Sequence, residues 1–474
     1  MKVSVIGAGY VGLTTAACLA QIGHHVFCSE SDVEKLAKLR AGEMPLFEPC
    51  LEGMIESVRE AGRLCFGSTD DAIAWGEAIF ICVGTPPLVN GDADLSAIEA
   101  VARAIAKRAS GYRLIIEKST VPVQTGAQLR RHLSVHGQNG LRYDVASNPE
   151  FLREGTSVED FLHPDRIVIG VDSSRAEHML REVYAPIIQQ SFTCPVHKNC
   201  VKREQPIFLV TDIGSAELIK HASNSFLAMK ISFINMVANL CEAVGADITK
   251  VAQGMSLDSR IGPAFLNPGI GFGGFCFPKD VQAFVRIAEK SGCDFSLLKE
   301  VEKINQRRVQ HFVEKIRREL WVVRGKKIAL WGLAFKPNTD DVRFAPSIAL
   351  IKALLAEEAL VSAYDPQAMT KARAVIPEIE YCVDAYEAAV GADAIVIVTE
   401  WDEFRHVDWK RLLSLVEQPL VIDGRNVFNP KDIGRQGFRY VSVGRVDALP
   451  ANLTPVVQTG ASLKRDTDLQ DAPI

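Results

Sequence analysis

Cys276 closes a glycine-dense run, Gly269-Ile270-Gly271-Phe272-Gly273-Gly274-Phe275-Cys276, and is followed by Phe277-Pro278-Lys279-Asp280. Four glycines within six residues strip side-chain bulk from the loop, so backbone and a small molecule can approach closely. Pro278 suits the first turn of a helix, where no amide hydrogen is missed. A cysteine at that helix start meets the positive end of the helix dipole, and Lys279 adds a second positive charge. Both favour the thiolate, the nucleophilic form. A cysteine taken alone is more often a small buried hydrophobe. Glycine loop, helix start and lysine together mark Cys276 as a nucleophile.

Other groups suited to chemistry lie upstream. Lys220 and Asn224 are four apart in a long apolar-periodic stretch that runs from Ser215 to Gly245, so they share one helix face. A solvated stripe is the ordinary reading of such a pair, but Leu218, Ile219, Phe226 and Leu227 flank it, which suits a cleft. That helix exceeds the usual length and is expected to span two domains or a subunit interface. Glu150 and Glu154 stand four apart in Ser147-Asn148-Pro149-Glu150-Phe151-Leu152-Arg153-Glu154-Gly155, a loop beyond a strand end. Thr85 and Thr120 follow two further apolar strands, Ala78 to Val83 and Leu114 to Glu117. Ligands of open α/β sheets gather beyond such strand ends. A helix N-cap is the competing role for either threonine.

The elements that position these groups begin at once. Val3 to Ile6 reads as a buried strand, Gly7-Ala8-Gly9-Tyr10-Val11-Gly12 fits GxGxxG, and a helix follows to Ile22. A second strand, His25 to Cys28, then leads to Glu30. In that register the glycines, with Tyr10 and Val11, form a dinucleotide-binding turn facing a helix N-terminus, and Glu30 meets the ribose hydroxyls. An acid there repels a 2′-phosphate, which favours NAD over NADP, although Lys35 is close in sequence. A second α/β stretch starts near Lys326. It lacks GxGxxG and instead carries Lys336, Asp340, Asp341, Arg343 and Arg425 at strand ends, a set suited to phosphate. The expected fold is α/β: two Rossmann-like doubly wound domains, 1–205 and 318–449, joined by a central helical domain, 206–317, with a loose tail over 450–474.

Composition sets the outer limits. The chain has 474 residues, 47% apolar and 23% charged, with a net charge of -5. Those values describe an ordinary globular protein without the basic runs that nucleic acid requires. No apolar run reaches the length a membrane span needs, and the first residues read as a strand rather than a signal peptide, so a cytoplasmic protein is expected. Eleven scattered cysteines fit a reducing compartment. Cys194, His197 and Cys200 offer three metal ligands in a polar segment with no evident fourth, and a surface loop without metal is expected there.

The chain resembles the nucleotide-sugar dehydrogenases of the UDP-glucose/GDP-mannose dehydrogenase family. The resemblance rests on GAGYVGL at Gly7 to Leu13, VGTP at Val83 to Pro86, KSTVPV at Lys118 to Val123 and SNPEFLREG at Ser147 to Gly155. It continues through FLNPGIGFGG at Phe265 to Gly274, CFPKD at Cys276 to Asp280, LAFKPNTDDVR at Leu333 to Arg343 and DGRN at Asp423 to Asn426. It implies oxidation of UDP-glucose at C6 to the carboxylate with two NAD, through a thiohemiacetal and then a thioester on Cys276. Lys220 and Asn224 would stabilise the oxyanion, Asp280 would position or deprotonate a water, and Thr120 and Glu150 would orient the hydrolytic water. Phe151, Leu152, Arg153, Phe265, Leu266, Asn267, Pro268, Gly269, Gly273 and Lys336 would hold the sugar nucleotide. Glu154, Lys279, Lys35, Thr85 and Arg343 would lie near the cofactor, with Glu154 also near the sugar. Arg260 would come from a partner subunit of a homodimer or larger homo-oligomer.

Departures from the family pattern leave every catalytic group in place. Phe275 replaces a usual serine, Glu30 an aspartate, Cys50 a glycine and Phe344 a glutamate, and the segment from about 189 to 205 is longer than usual. Three rival readings stand beside this one. They are a dehydrogenase of another nucleotide sugar, a single-oxidation hydroxyacid-type dehydrogenase that needs no Cys276, and a catalytically silent nucleotide sensor.

Overall fold

Apolar runs without alternation become strands buried on both faces, and that pattern builds two sheets here. The computed structural model describes residues 1–138, 140–198, 200 and 204–450. The tail expected from 450 onward therefore lies, beyond Pro450, outside the described residues. The first sheet contains β1 (Lys2–Ile6), β2 (His25–Ser29), β3 (Leu64–Gly67), β4 (Ala78–Ile81), β5 (Tyr112–Glu117), β6 (Arg142–Ser147), β7 (Arg166–Gly170) and β8 (Ile207–Thr211). Their order is β3-β2-β1-β4-β5-β6-β7-β8. All neighbours are parallel except β6 and β7, which meet antiparallel at Ser147 and Gly170. Because β8 pairs with β7, the first sheet continues past residue 205, and we draw the domain limit after Thr211.

The second sheet contains β9 (Lys327–Trp331), β10 (Leu360–Tyr364), β11 (Glu380–Tyr381), β12 (Ala394–Ile397), β13 (Leu420–Asp423) and β14 (Arg439–Ser442). Its order, β11-β10-β9-β12-β13-β14, repeats the first six places of the other sheet. That order has a reversal point beside the first strand, where a crevice opens at the carboxyl ends. Both expected Rossmann-like units are present.

One helix, Ile213–Val244, joins them. Asp212 caps its start through the Ser215 amide, and Gly245 ends it in the left-handed region at φ 73°. Lys220 and Asn224 on its first half are buried, as are Ile234 and Ala238 on its second. By length and composition this helix could cross a bilayer, with a hydropathy of 1.4, so the expectation that no stretch reaches that threshold is corrected. Its apolar character has a local cause. The second half sits in the core of the C-terminal domain with Ile248, Phe312 and Ile316, while Ala228 packs on Val281 and Phe284 of the helix Cys276–Lys290.

The helix Ser296–Leu320 locks this arrangement through one buried cation. Arg308 donates from Nε and Nη2 to the Gly269 carbonyl at 3.0 Å each, and from Nη1 to Asn239 on the long helix. Burial lowers its pKa to about 10. Arg308→Ala strands that carbonyl away from water, which costs about 2–3 kcal/mol for hydrogen bonds to a charged donor. The expected result is a lower urea midpoint by circular dichroism, with weaker sugar-nucleotide binding.

Candidate active site

The glycine loop is gripped from behind, which aims its exit. Asn235 accepts from the Gly269 amide at 2.8 Å, and Asn305 both accepts from and donates to the backbone of Phe272, at 2.8 and 2.9 Å. Gly271 has φ +103°, and a Cβ there would lie 2.7 Å from Asn305 Oδ1, so only glycine fits without strain. The helix Cys276–Lys290 begins at the cysteine itself, with no side-chain cap on its first turn. The expected placement of Cys276 at a helix start therefore holds, and Pro278 lies in that first turn.

Four charged groups converge on this point. Lys220 Nζ pairs with Glu150 Oε1 at 2.8 Å, with both side chains 5% exposed. Asp280 accepts from Asn224 Nδ2 and from Lys279 Nζ, both at 2.6 Å. Burial alone would neutralise Lys220, but Glu150, Asp280 and Cys276 outweigh it and raise its pKa. Burial likewise opposes the charge on Asp280, yet Lys279, Lys220 and His221 hold its pKa below the usual carboxylate range. Glu150 also accepts from the Leu152 amide at 2.6 Å, which fixes the loop after β6.

The resting state of the cysteine differs from the expectation. Burial first, then Asp280 and Glu150, push the Cys276 pKa up to about 12, and Lys220 only partly offsets them. That direction favours the thiol over the thiolate at neutral pH. Lys279, expected to assist it, spends its charge on Asp280, whereas Lys220 acts on the sulfur.

The first sheet offers a dinucleotide cradle. A Cβ on Gly12 would collide with the Gly7 carbonyl, whereas Gly9 faces open space. Bulk is excluded where the turn closes and room is left where a pyrophosphate would lie. Tyr10 and Val11 begin the helix Tyr10–Gln21 that follows. Glu30 follows directly on β2, with its carboxylate accepting from the Ser31 and Asp32 amides at 2.8 and 3.1 Å. Lys35 Nζ lies 2.8 Å from Glu30, so its charge is already matched. Thr85 Oγ1 donates to the Thr120 carbonyl at 2.9 Å, tying the ends of β4 and β5 together. Neither threonine is an N-cap. These residues fit NAD.

A cleft of about 840 Å³ opens between the glycine loop and the second sheet. Leu152, Arg153 and Glu154 line one side; Phe265, Leu266, Asn267, Pro268 and Gly273 line the floor near Cys276; Lys336 lines the far side. Gly269 and Phe151 lie behind that lining: Gly269 in the clamp described above, Phe151 with its ring 3.9 Å beneath the Arg166 guanidinium. Arg343 joins Asp341 at 2.7 Å and approaches Glu154 at 3.8 Å. The Phe275 ring lies 4.4 Å beneath the Arg343 guanidinium, so the bulk expected to crowd the cleft also braces a cation. Arg425 spends its guanidinium on the carbonyls of Val398, Gly271 and Phe335. Arg260 is paired with Asp258, 87% exposed, and does not line this cleft.

Several contributing residues escape sequence reasoning. Glu48 is buried and accepts from the Gly155 and Ser157 amides at 2.6 Å each, anchoring the Glu154 loop. Lys118 is buried near Glu150 and Lys220, and burial lowers its pKa to about 8. Its Nζ donates to Asn148 Oδ1 at 3.2 Å. Only its place before Ser119-Thr120 signalled it. Away from the cleft, the trio Cys194, His197 and Cys200 gains a fourth neighbour, His163. It comes from another element, which is why the trio looked incomplete.

Two nucleotide-type sheets, a glycine cradle ending at a carboxylate, and a thiol among lysine, asparagine and carboxylates define a dinucleotide-dependent oxidoreductase. Residues 1–188 match the NAD binding domain of the UDP-glucose/GDP-mannose dehydrogenase family, 214–307 its central domain and 329–430 its UDP binding domain. UDP-glucose 6-dehydrogenase of Rhizobium meliloti strain 1021 is 44% identical over 94% of this chain and 100% of its own length. Among solved structures, a UDP-glucose dehydrogenase from Pyrobaculum islandicum superposes with a TM-score of 0.84 at 37% identity, covering 94% of this chain and 98% of that one. A UDP-D-ManNAc dehydrogenase from Pyrococcus horikoshii gives 0.80 at 26% identity, covering 94% and 99%. The chain belongs to the UDP-glucose/GDP-mannose dehydrogenase family.

Two measurements test the electrostatics. Site-resolved alkylation of Cys276 by iodoacetamide is expected to be slow at pH 7 and to rise about tenfold per pH unit up to pH 10, as thiolate fraction does below the pKa. A plateau near neutrality would show a resting thiolate. Glu154 is the second case: burial and Asp341 raise its pKa to about 7. The folded chain thus holds that proton more tightly than the unfolded chain, and the group's contribution to stability falls as pH rises from about 4.5 to about 7. Glu154→Gln is expected to flatten the melting-temperature profile across that window.

Proposed function

We propose that the protein oxidises C6 of UDP-glucose to the carboxylate of UDP-glucuronate, removing four electrons and reducing two NAD per sugar. Its carrying observation is Cys276 on the wall of the cleft, with the Lys220–Glu150 and Asn224–Asp280 pairs around it. NAD, when bound, supplies the hydride acceptor for both oxidations.

The first oxidation takes the C6 alcohol to an aldehyde. An aldehyde cannot give up a second hydride until a nucleophile makes its carbon tetrahedral. Cys276 provides that nucleophile: a C–S bond forms, the C=O π bond opens, and the thiol proton passes to the former carbonyl oxygen, which becomes the thiohemiacetal hydroxyl. Because the thiol rests near pKa 12, its proton must leave as the bond forms, and Lys220 stabilises the negative charge that results. Lys220 and Asn224 then face the C6 oxygen as a positive and a neutral donor. Loss of the second hydride leaves a thioester. Water cleaves its C–S bond, returning the thiol and releasing the carboxylate. Glu150 is the base for that water, with Thr120 orienting it, once the substrate oxygen replaces Glu150 as the partner of Lys220. Asp280, held ionised, orders the donors and a nearby water.

The UDP moiety is assigned to the cleft side bearing Lys336 and the Phe265 to Gly269 segment, with Arg153 at its rim. The long helix supports a homodimer or higher homo-oligomer, since it exposes Phe226, Phe233, Leu240 and Val244 at spacings of seven, seven and four. A second copy on that stripe accounts for an Arg260 that does not reach its own cleft. No disulfide joins any of the eleven cysteines, which suits a cytoplasmic protein.

NADH release counted against UDP-glucose is expected to give two per sugar, and one per sugar would favour a simple alcohol dehydrogenase. Cys276→Ala should abolish net turnover, and unchanged turnover would overturn the mechanism. A panel with UDP-N-acetylhexosamines and GDP-mannose tests the second reading, which the resemblance to the Pyrococcus horikoshii enzyme motivates.

A further inference from the structure

We propose that His163, Cys194, His197 and Cys200 form a structural zinc site that staples the 189–205 loop to the N-terminal domain. Their ligand atoms all lie within 4.8 Å of one another. His163 Nε2 is 3.2 Å from Cys194 Sγ and 3.5 Å from Cys200 Sγ. His197 Nδ1 is 3.5 Å from Cys194 Sγ and 3.9 Å from Cys200 Sγ. A tetrahedral ion with Zn–S near 2.3 Å and Zn–N near 2.0–2.1 Å sets sulfur and nitrogen about 3.5 Å apart, and the four separations bracket that value. Two thiolates and two imidazoles make a closed set with no position left for water, the mark of a structural rather than a catalytic site.

The surroundings are those of a metal knuckle. The His197 amide lies 3.4 Å from Cys194 Sγ and donates to it, which stabilises a thiolate. His197 turns its other nitrogen, Nε2, toward Glu159 at 3.4 Å, so a carboxylate orients the imidazole from the far side. Phe192 stacks on the His163 ring at 5.6 Å, and Gln21 donates to the Thr193 carbonyl at 3.0 Å. His163 follows directly on the short helix Ser157–Leu162. The same helix carries Asp160, which holds Arg153 at the cleft rim with Nη2–Oδ1 at 2.6 Å. The ion would therefore clamp the loop to the segment that positions Arg153, and it takes no part in the redox chemistry. Zinc binding displaces the two thiol protons to solvent and changes no oxidation state.

The test uses the full-length protein, reduced, stripped with a chelator and titrated with Co(II) as a spectroscopic stand-in and with Zn(II). The expected result is one metal per chain, with tetrahedral d–d bands and a thiolate-to-metal charge-transfer band that Zn(II) bleaches. Cys194→Ser/Cys200→Ser and His163→Gln should lose the charge-transfer band or weaken metal affinity at least tenfold. Glu159→Gln should weaken it about ten- to a hundredfold while keeping the band. Metal-loaded chain should melt a few degrees higher than stripped chain and resist proteolysis within 189–205. Absence of a stoichiometric band, a band unchanged in the double cysteine variant, or a Cys194–Cys200 disulfide with no uptake after reduction would each overturn the proposal.

Discussion

The constraint on which the site depends is the burial of four charges in one place. Lys220 pairs with Glu150 and Lys279 with Asp280, so each of these four has an opposite charge beside it although all sit in a dry environment. Removing any one member would leave an uncompensated buried charge, and such breaks cost far more than the intact arrangement contributes. The four come from three parts of the chain: the loop after β6, the long helix, and the cysteine helix. Charge balance therefore holds the N-terminal sheet against the central domain and sets the field at the sulfur together. Burial, with the carboxylates of Asp280, Glu150 and Glu154, pushes the cysteine toward the thiol, and Lys220 offsets them only in part while Lys279 is occupied by Asp280.

The two sheets repeat one strand order and diverge at the turn after their first strand. In the first, the glycine turn leaves space at Gly9 and ends against Glu30. In the second, Asp365 at the end of β10 accepts from the Leu333 and Ala334 amides at 2.7 and 3.0 Å. Those amides are the donors that would otherwise meet a pyrophosphate, so the dinucleotide mode is closed there. The chain beyond the turn instead delivers Lys336 into the cleft and sets Arg343 against Asp341 and Glu154 beside it. One architecture thus presents a cofactor from one side and a second nucleotide from the other, with the thiol between.

Much of this was legible in the residues. Buried strands announce themselves as short apolar runs, and a glycine turn with an acid at the following strand end needs only local spacing. The strand order of both sheets, the 32-residue helix and the helix start at Cys276 agree with that reading. What the reading missed has a common form. The Lys279 charge was assigned to the nearest interesting atom in sequence, the sulfur, when its geometry commits it to Asp280. Nothing in the residues around Glu48 marks it, and only the fold lays it against Gly155 and Ser157.

Local sequence by itself determined the elements and the cofactor turn and singled out Cys276 as the candidate nucleophile, because backbone conformation and apolar periodicity act over a few residues. Tertiary structure decided which charges meet, the protonation state of Cys276, and the approach of His163 to Cys194, 31 residues away. Desolvation and Coulomb forces depend on distance through space, and that distance is set only once both sheets close on the long helix.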